Sequence, residues 1–309
     1  MTIAVVGVGA LGGFYGGLLA RQGQDVHFLL RSDYQAVKQQ GLTINTPPGD
    51  FHLDAPQIYR ATNDMPMPEL VFIGLKTTAN DHLADLLTPL VGPDTWLLTA
   101  QNGLGNEEAL AQLFGEQRVA GGLAFLCANR IAPGVIHHLD YGRLTIGNYQ
   151  RPADDRLRRF AAIMNDAGQA ANITCDVADD LLNVRWKKEL WNVPFNGLSA
   201  LLDRTVDKII ADPALNDRCW RLMREIQAIA AAEGHTLTDD DLAQNMARTE
   251  VMKPYYTSMH LDRRQGRPME IESIFGEPLR RAQSRGLATP ELEALTHALR
   301  RLDATTPTD

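Results

Sequence analysis

Hydrophobic and polar positions divide the chain into two parts of different character. Up to about residue 178, short apolar runs alternate with segments of helical spacing, beginning with Thr2 to Val6, a helical pattern from Ala10 to Gln22, and a second run from Asp25 to Leu30. From about Asp179 to Leu302, helical periodicity takes over. The pattern therefore predicts an α/β domain over residues 1–178 and an all-helical domain over residues 179–309.

The first part contains further predicted strands and helices. We predict two more buried strands at 69–75 and 95–99, and helices at 34–40, 81–90 and 106–114. Three β-rich stretches at 119–128, 134–139 and 143–146 have no helices between them, so the sheet is expected to finish with antiparallel strands. A helix at 154–170 and a strand at 173–177 end the domain, and Pro47-Pro48-Gly49 indicates a loop or hairpin excursion.

A glycine-rich turn joins the first strand to the first helix. Gly7, Gly9 and Gly12 form a G-x-G-x-x-G pattern in which the first glycine suits a tight turn and the second allows a pyrophosphate to approach the backbone. The third allows the helix to pack closely on the strand, and the helix N-terminus favours an anion. The alternative is a tight turn without a ligand. The complete strand, helix and strand unit favours a Rossmann-type doubly wound sheet, with a dinucleotide at Gly7, Val8, Gly9, Ala10, Leu11 and Gly12.

Residues at the ends of strands indicate which dinucleotide binds. Arg31 follows the second strand, where an arginine suits the 2′-phosphate of NADP and an acidic residue suits the ribose of NAD. Asp25 lies at the beginning of that strand and therefore at its wrong end. Lys76 and Asn102 follow two later strands, on the side of a doubly wound sheet where ligands gather. The pattern favours NADPH, although Arg31 and Lys76 could also be solvated surface residues and Gln-Asn-Gly could be a simple turn.

Composition and charge argue against several other classes of protein. The 309 residues are 44% hydrophobic and 22% charged, which is typical of a globular protein. A net charge of −8 without long basic runs argues against a nucleic-acid partner. Three scattered cysteines argue against a disulfide framework and a zinc site, and they fit a reducing cytoplasm. Because the first strand begins at residue 2 and no apolar run approaches roughly 18 residues, we expect neither a cleavable signal nor a membrane span.

A line of polar residues crosses an apolar segment of the helical domain. Lys188, Asn192 and Asn196 recur at intervals of four, which places an ammonium and two amides along one helix face. Their neighbours are large and apolar, and a buried polar line is costly unless it has partners. The alternative is a line that faces solvent. Pro194 lies within the run and is expected to bend the helix or open its hydrogen-bond ladder.

Two more polar residues lie near a predicted helix boundary. Ser258 belongs to a helix that Gly266 and Pro268 terminate, and Glu270 lies in the first turn of the next predicted helix, at 271–284. A carboxylate is favoured in the first turn of a helix, so capping alone would account for Glu270.

Five motifs in this order resemble those of the ketopantoate reductase (2-dehydropantoate 2-reductase) family. They are Gly7 to Gly12, Leu75-Lys76-Thr77, Gln101-Asn102-Gly103, the W-x-K-x-x-x-N-x-x-x-N pattern from Trp186 to Asn196, and S-M-x-x-D followed by G-R-P-x-E-I between Ser258 and Ile271. The resemblance implies an NADPH-binding Rossmann domain joined to a helical domain, with the substrate in the cleft between them. It also implies NADPH-dependent reduction of 2-dehydropantoate to pantoate, in pantothenate biosynthesis.

The resemblance assigns roles to individual residues. It implies that Lys188 is the catalytic lysine and that Glu270 completes the catalytic site. Substrate binding is implied for Asn102, Asn192, Asn196 and Ser258. Cofactor binding is implied for the glycine turn together with Arg31, Lys76, Asn102 and Glu270.

Some positions differ from the family pattern and leave the substrate open. Glu189 stands where a leucine is common, Glu272 where an aspartate is frequent, and Tyr255 where some members have an asparagine. Another branched 2-oxo acid is therefore an alternative substrate. A non-catalytic NADP-binding sensor with the same fold is an alternative of a different class, since fold alone does not determine function. A homodimer stays open as an alternative to a monomer.

Overall fold

The computed structural model describes residues 1–305, and the last four residues of the predicted helical domain lie outside this part. Contacts divide the chain into two compact units, one of Met1–Gln101 with Asn106–Leu181 and the other of Asn102–Gly105 with the chain from Leu182 onward. The first unit is α/β and the second is helical, as the predicted fold class requires. Within residues 1–305, no helix is long and apolar enough to cross a membrane.

The first unit is built on one ten-stranded mixed sheet. Its strands are β1 (Thr2–Val6), β2 (Asp25–Leu29), β3 (Leu42–Asn45), β4 (Phe51–Leu53), β5 (Gln57–Tyr59), β6 (Leu70–Ile73), β7 (Trp96–Thr99), β8 (Val119–Ala132), β9 (Val135–Asn148) and β10 (Cys175–Val177). They lie in the order β4-β3-β9-β8-β7-β6-β1-β2-β5, and β10 pairs with β9. All pairs from β8 to β5 are parallel. The central strands β1, β6 and β7 are almost wholly buried, as continuous apolar runs predict.

Residues 119–148 form two long strands where the sequence predicted three separate stretches. β8 and β9 pair antiparallel along their length, so the predicted direction is confirmed and the predicted number was wrong. The ladder contains register shifts, and Gly142, at φ 126°, lies at one of them. Polar residues interrupt the apolar pattern, but the two strands continue past them because the ladder accommodates these register shifts.

Three short strands were missed in the sequence. β3 and β4 pair antiparallel on either side of Pro47-Pro48-Gly49, which confirms the hairpin alternative for that excursion. β5 pairs with β2 at the edge of the sheet. Strands of three or four residues are too short to show a clear alternation of apolar and polar positions.

Five helices accompany the sheet. They are α1 (Ala10–Arg21), α2 (Tyr34–Gln40), α3 (Leu83–Leu87), α4 (Asn106–Phe114) and α5 (Asp155–Gly168). The helix predicted at 81–90 contains only the five residues of α3, because 3-10 turns flank it and Pro89 lies in the second of them. Phe14 and Tyr15 of α1 are fully buried in the core, and the Tyr15 hydroxyl donates a hydrogen bond to the Gly142 carbonyl at 3.0 Å.

The second unit is a helical bundle with its own apolar core. Its helices are α6 (Leu181–Trp191), α7 (Gly197–Leu202), α8 (Val206–Ala211), α9 (Pro213–Ala232), α10 (Asp239–Glu250), α11 (Ser258–Arg264), α12 (Glu277–Ser284) and α13 (Pro290–Ala304). Two π-helical segments, Asn192–Asn196 and Glu272–Gly276, lie between these helices. The helix predicted at 271–284 is therefore a π-helical segment followed by α12. Trp186, Phe195 and Phe275 are among the fully buried side chains of this core.

Candidate active site

The glycine turn after β1 has the geometry of a phosphate cradle. Gly7 has φ +97°, and a Cβ there would lie 2.4 Å from the Leu75 backbone nitrogen. A Cβ on Gly12 would lie 2.1 Å from the Gly7 carbonyl oxygen, so only glycine fits at either position. At Gly9, by contrast, a Cβ would meet no atom within 4 Å. This open space in front of the twelve-residue helix α1 fits the pyrophosphate of a dinucleotide.

Lys76 lies beside this turn at the same edge of the sheet. The chain leaves β1 toward β2 on one side, while β6 is the neighbour of β1 on the other side. This is a topological switch point, where the carboxyl ends of doubly wound sheets bind ligands. The Gly74 N–H donates to the Val6 carbonyl at 2.8 Å, which ties the segment before Lys76 to the end of β1. The side chain of Lys76 is partly exposed.

Arg31 is exposed after β2, and Asp33, two residues further on, already has hydrogen-bond partners. Asp33 is 5% exposed and accepts hydrogen bonds from the Ser32 hydroxyl, the Gly134 N–H and the Arg130 guanidinium. A carboxylate held in this way is not available to a ribose 2′-hydroxyl. The end of β2 therefore offers an exposed guanidinium without a competing free carboxylate, which suits a 2′-phosphate.

The helical unit brings Lys188 and Asn102 together. The Lys188 Nζ donates to the Asn102 Oδ1 at 2.7 Å. The segment that carries Asn102 is fixed by two features: the Leu104 N–H donates to the Ser273 carbonyl at 2.9 Å, and a Cβ on Gly103 would lie 2.5 Å from the Ser273 backbone. Gly103 at φ +86° thus permits the close approach that holds the amide against the lysine.

The two adjacent lysines of α6 have different surroundings. Lys187 is 44% exposed and forms an ion pair with Asp241 at 2.8 Å, whereas Lys188 is only partly exposed and contacts Asn102. Neighbouring helix positions point about 100° apart, so both ammonium groups cannot occupy one pocket. The structure therefore separates a surface lysine from an inward-facing lysine.

The surroundings of Lys188 make its ammonium easier to deprotonate. Burial lowers the pKa of Lys188 to about 8, and the positive charge of Arg185 acts in the same direction. The negative charges of Glu189 and Glu270 oppose this shift. A lysine whose pKa lies near the physiological range can exchange a proton during a reaction, which an ordinary surface lysine does far less readily.

The predicted polar line is a buried hydrogen-bonded series. The Asn196 Nδ2 donates to the Asn192 Oδ1 at 3.1 Å, and both side chains are 2% exposed. The solvent-facing alternative is therefore wrong for the two asparagines. They lie at the two ends of the π-helical segment Asn192–Asn196, which contains Pro194. Proline has no N–H for the α-helical ladder, so the predicted opening of the ladder is present as a π-helix.

Glu270 and Ser258 occupy different kinds of position. Glu270 is 5% exposed, lies just before Ile271, and acts electrostatically on both Lys188 and Glu189. Ser258 is the exposed first residue of α11, and its hydroxyl makes no hydrogen bond to another residue in the described part of the chain. The structure thus brings Lys188, Asn102 and Glu270 together, whereas Ser258 has no direct link to them.

Two charged residues of this region were not predicted from the sequence to have roles. Arg185 and Glu189 are each 1% exposed on α6, three residues before Lys188 and three before Asn192 respectively. The sequence did carry a signal for the burial of these two side chains. Each charged residue stands in a helix beside large apolar residues, Trp186, Leu190 and Trp191, and a solvated position among them would be unusual.

The described residues offer no metal centre. In residues 1–305, no group of three or more histidine, cysteine, aspartate or glutamate side chains could hold a metal ion. Cys127, Cys175 and Cys219 are free and buried. Burial raises the pKa of Cys175 and Cys219 to about 12, so neither is a reactive thiolate at neutral pH.

Comparison with known proteins gives one family over both parts of the chain. Residues 3–151 match the family model described as "Ketopantoate reductase PanE/ApbA", and residues 180–303 match the one described as "Ketopantoate reductase PanE/ApbA C terminal". A 2-dehydropantoate 2-reductase of Nostoc sp. is 42% identical over 302 residues, covering 97% of this chain and 94% of that protein.

Solved structures give the same result. The 2-dehydropantoate 2-reductase of Geobacter metallireducens superimposes with a TM-score of 0.93 at 44% identity, over 97% of this chain and 99% of that chain. The enzyme of the same name from Methylococcus capsulatus has a TM-score of 0.91 at 35% identity, over 100% and 99% of the two chains.

Proposed function

The chain belongs to the ketopantoate reductase family, and we propose that it is an NADPH-dependent enzyme that reduces 2-dehydropantoate to pantoate, in pantothenate biosynthesis. The observation that carries this proposal is the partly buried Lys188 ammonium, held 2.7 Å from Asn102 in a chain that matches a 2-dehydropantoate 2-reductase over nearly its whole length. When bound, NADPH supplies the hydride that adds to C2 of the 2-oxo acid.

Lys188 is the proposed proton donor. As the C2 carbonyl is reduced, its oxygen develops negative charge, and an ammonium beside it stabilises charge that is absent from the ground state. The lowered pKa of Lys188 allows the same group to give its proton to the oxygen. Asn102 accepts a hydrogen bond from the ammonium and so orients it.

The other residues are proposed to position charge and substrate. The buried carboxylate of Glu270 favours the protonated form of Lys188, which is the form that the reduction consumes. Asn192, Asn196 and Ser258 offer amide and hydroxyl groups to the polar groups of the substrate. The two asparagines are preorganised by their mutual hydrogen bond, so little conformational entropy is lost when the substrate binds.

The proposed cofactor is NADPH. The turn of Gly7, Gly9 and Gly12 fits the pyrophosphate, and Arg31 and Lys76 supply positive charge at the end of the sheet where the rest of the cofactor would lie. The carboxylate of Asp33, which could otherwise select NAD, is held by Arg130, Ser32 and Gly134. This arrangement favours the phosphorylated cofactor.

A substrate panel tests the proposed reaction. The purified protein is mixed with NADPH and 2-dehydropantoate, and oxidation of NADPH is followed by absorbance beside a set of branched 2-oxo acids that lack the hydroxyl group. We expect the highest kcat/KM with 2-dehydropantoate. A higher kcat/KM with another 2-oxo acid would assign a different substrate, and no oxidation with any 2-oxo acid would favour a non-catalytic NADP-binding protein.

The reduction should slow as the pH rises through the pKa of Lys188. Because the protonated lysine is the active form and its pKa is about 8, the ionisation of Lys188 is not expected to limit kcat/KM below that pH. Above it, kcat/KM should fall about tenfold per pH unit. The measurement is a pH profile with saturating NADPH. A profile that stays flat to pH 10 would show that proton transfer from Lys188 does not control the rate.

A further inference from the structure

Glu189 heads a series of hydrogen bonds that runs through both asparagines of the polar line. Its carboxyl group is 1% exposed, and its Oε1 accepts a hydrogen bond from the Asn192 Nδ2 at 3.0 Å. The Asn192 Oδ1 in turn accepts from the Asn196 Nδ2 at 3.1 Å. Three polar side chains in an apolar core are therefore joined end to end.

The charge of the first group determines the direction of the whole series. An ionised carboxylate has acceptors only, so the amide nitrogen of Asn192 must face it. The Asn192 oxygen then faces Asn196 and requires the nitrogen of that amide. The Asn196 Oδ1 is consequently the last group of the series, and within residues 1–305 this buried atom has no hydrogen-bond partner.

We propose that Glu189 is a positioning residue that turns the amides of Asn192 and Asn196 so that the Asn196 Oδ1 accepts a hydrogen bond from the substrate's hydroxyl group. This inference rests on the proposed function and deepens it. Of the polar groups on 2-dehydropantoate, the carboxylate and the ketone only accept hydrogen bonds, and the hydroxyl alone can donate one. A buried acceptor therefore selects 2-oxo acids that carry a hydroxyl group.

The negative charge also strengthens the last hydrogen bond of the series. Hydrogen bonds in a chain polarise one another, and an anion at one end increases the negative charge on the oxygen at the other end. Protonated Glu189 loses this effect, and its new O–H can reverse the series by donating to Asn192. Preference for the hydroxyl group should therefore depend on the ionisation of Glu189.

That ionisation falls within a measurable pH range. Burial raises the pKa of Glu189 to about 7, while the hydrogen bond from Asn192 and the positive charges of Lys188 and Arg185 oppose the shift. The negative charge of Glu270 adds to it. The carboxylate is thus present above about pH 7 and is lost as the pH falls below that value.

The experiment compares two substrates that differ only in the hydroxyl group. These are 2-dehydropantoate and 3,3-dimethyl-2-oxobutanoate, which has the same carbon skeleton with hydrogen in place of the hydroxyl. The measured quantity is the ratio of their kcat/KM values between pH 5.5 and 8.5. Any titration that affects proton transfer from Lys188 acts on both substrates and cancels in this ratio. We expect the ratio to rise about three- to tenfold as the pH increases through 7.

Two variants separate Glu189 from other titrating groups. Glu189→Gln keeps the size and hydrogen-bonding capacity of the side chain but cannot ionise, so its ratio should be independent of pH and equal to the low-pH ratio of the unmodified protein. Glu293→Gln makes the same chemical change at an exposed position of α13 and should keep the pH dependence. Melting temperatures establish that both variants are folded.

Several results would overturn the inference. A ratio that does not change with pH in the unmodified protein would do so without reference to any variant. A Glu189→Gln variant that keeps the pH dependence, or that loses activity equally with both substrates, would assign Glu189 a structural role. A pH dependence that appears in the KM for NADPH would place the Asn196 oxygen against the cofactor. If neither 2-oxo acid were reduced, the proposed function itself would fail.

Discussion

Replacing Lys188 by alanine is expected to lower kcat about a hundred- to ten-thousandfold, which is the usual contribution of a general acid. The variant would lose both the proposed proton donor and the positive charge proposed to face the developing alkoxide. NADPH binding should weaken far less, because the Lys188 ammonium is not one of the groups assigned to the dinucleotide, although its partner Asn102 is. Steady-state kinetics give kcat, and fluorescence titration gives the affinity for NADPH.

Lys187→Ala is the matched control for this variant. Lys187 has the same side chain one position earlier in α6, but it is 44% exposed and pairs with Asp241. An exposed ion pair contributes little to stability, so this variant should fold and keep its kcat. Loss of turnover in Lys187→Ala with full turnover in Lys188→Ala would mean that the catalytic register is wrong, and the assigned roles of Asn192 and Asn196 would then be wrong with it.

The second large effect concerns the choice of cofactor. Arg31→Ala should reduce the preference for NADPH over NADH about ten- to a hundredfold, because a hydrogen bond to a charged group contributes about 1.5–3 kcal/mol. The change should appear in the KM for NADPH, with little change in the KM for NADH, which has no 2′-phosphate. The measurement is kcat/KM for each cofactor at saturating 2-oxo acid.

Lys38→Ala is a control for the general loss of positive charge, since Lys38 is an exposed residue of the nearby helix α2. It should leave the cofactor preference as it was. Equal kcat/KM values for NADPH and NADH in the unmodified protein would contradict the assignment of NADPH, and an unaltered preference in Arg31→Ala would show that another residue holds the phosphate.

The parts of the fold that the sequence predicted well are those with strong local signals. Three such signals lie within about 20 residues at the start of the chain. An apolar run predicts β1, glycines required by close contacts predict the turn, and helical spacing predicts α1. The helix at Asn106–Phe114 was predicted at its observed limits. Short edge strands were less predictable because three or four residues show no clear alternation of apolar and polar positions. The two long strands β8 and β9 were missed because register shifts and polar residues interrupt their apolar pattern.

In the candidate site, too, the sequence predicted the features that depend on local spacing and missed those that depend on distant contacts. The interval of four placed Lys188, Asn192 and Asn196 on one face, and the structure adds the hydrogen bond between the two asparagines. The partner of Lys188 could not be inferred from spacing, since Asn102 is 86 residues away in the sequence. The burial of Glu189 was overlooked because the glutamate stands beside two lysines, as in a solvated helix face, although its apolar neighbours Leu190 and Trp191 were a signal against that interpretation.

A crystal structure with NADP⁺ and pantoate bound is the most direct test of the central claim, that Lys188 gives its proton to the C2 oxygen. In that complex, the Lys188 Nζ should lie within hydrogen-bond distance of the C2 hydroxyl oxygen, about 2.6–3.2 Å. The same structure should place C2 against the nicotinamide ring that supplies the hydride. A pantoate whose C2 oxygen is held by another proton donor, with the Lys188 ammonium out of hydrogen-bond reach, would contradict the account.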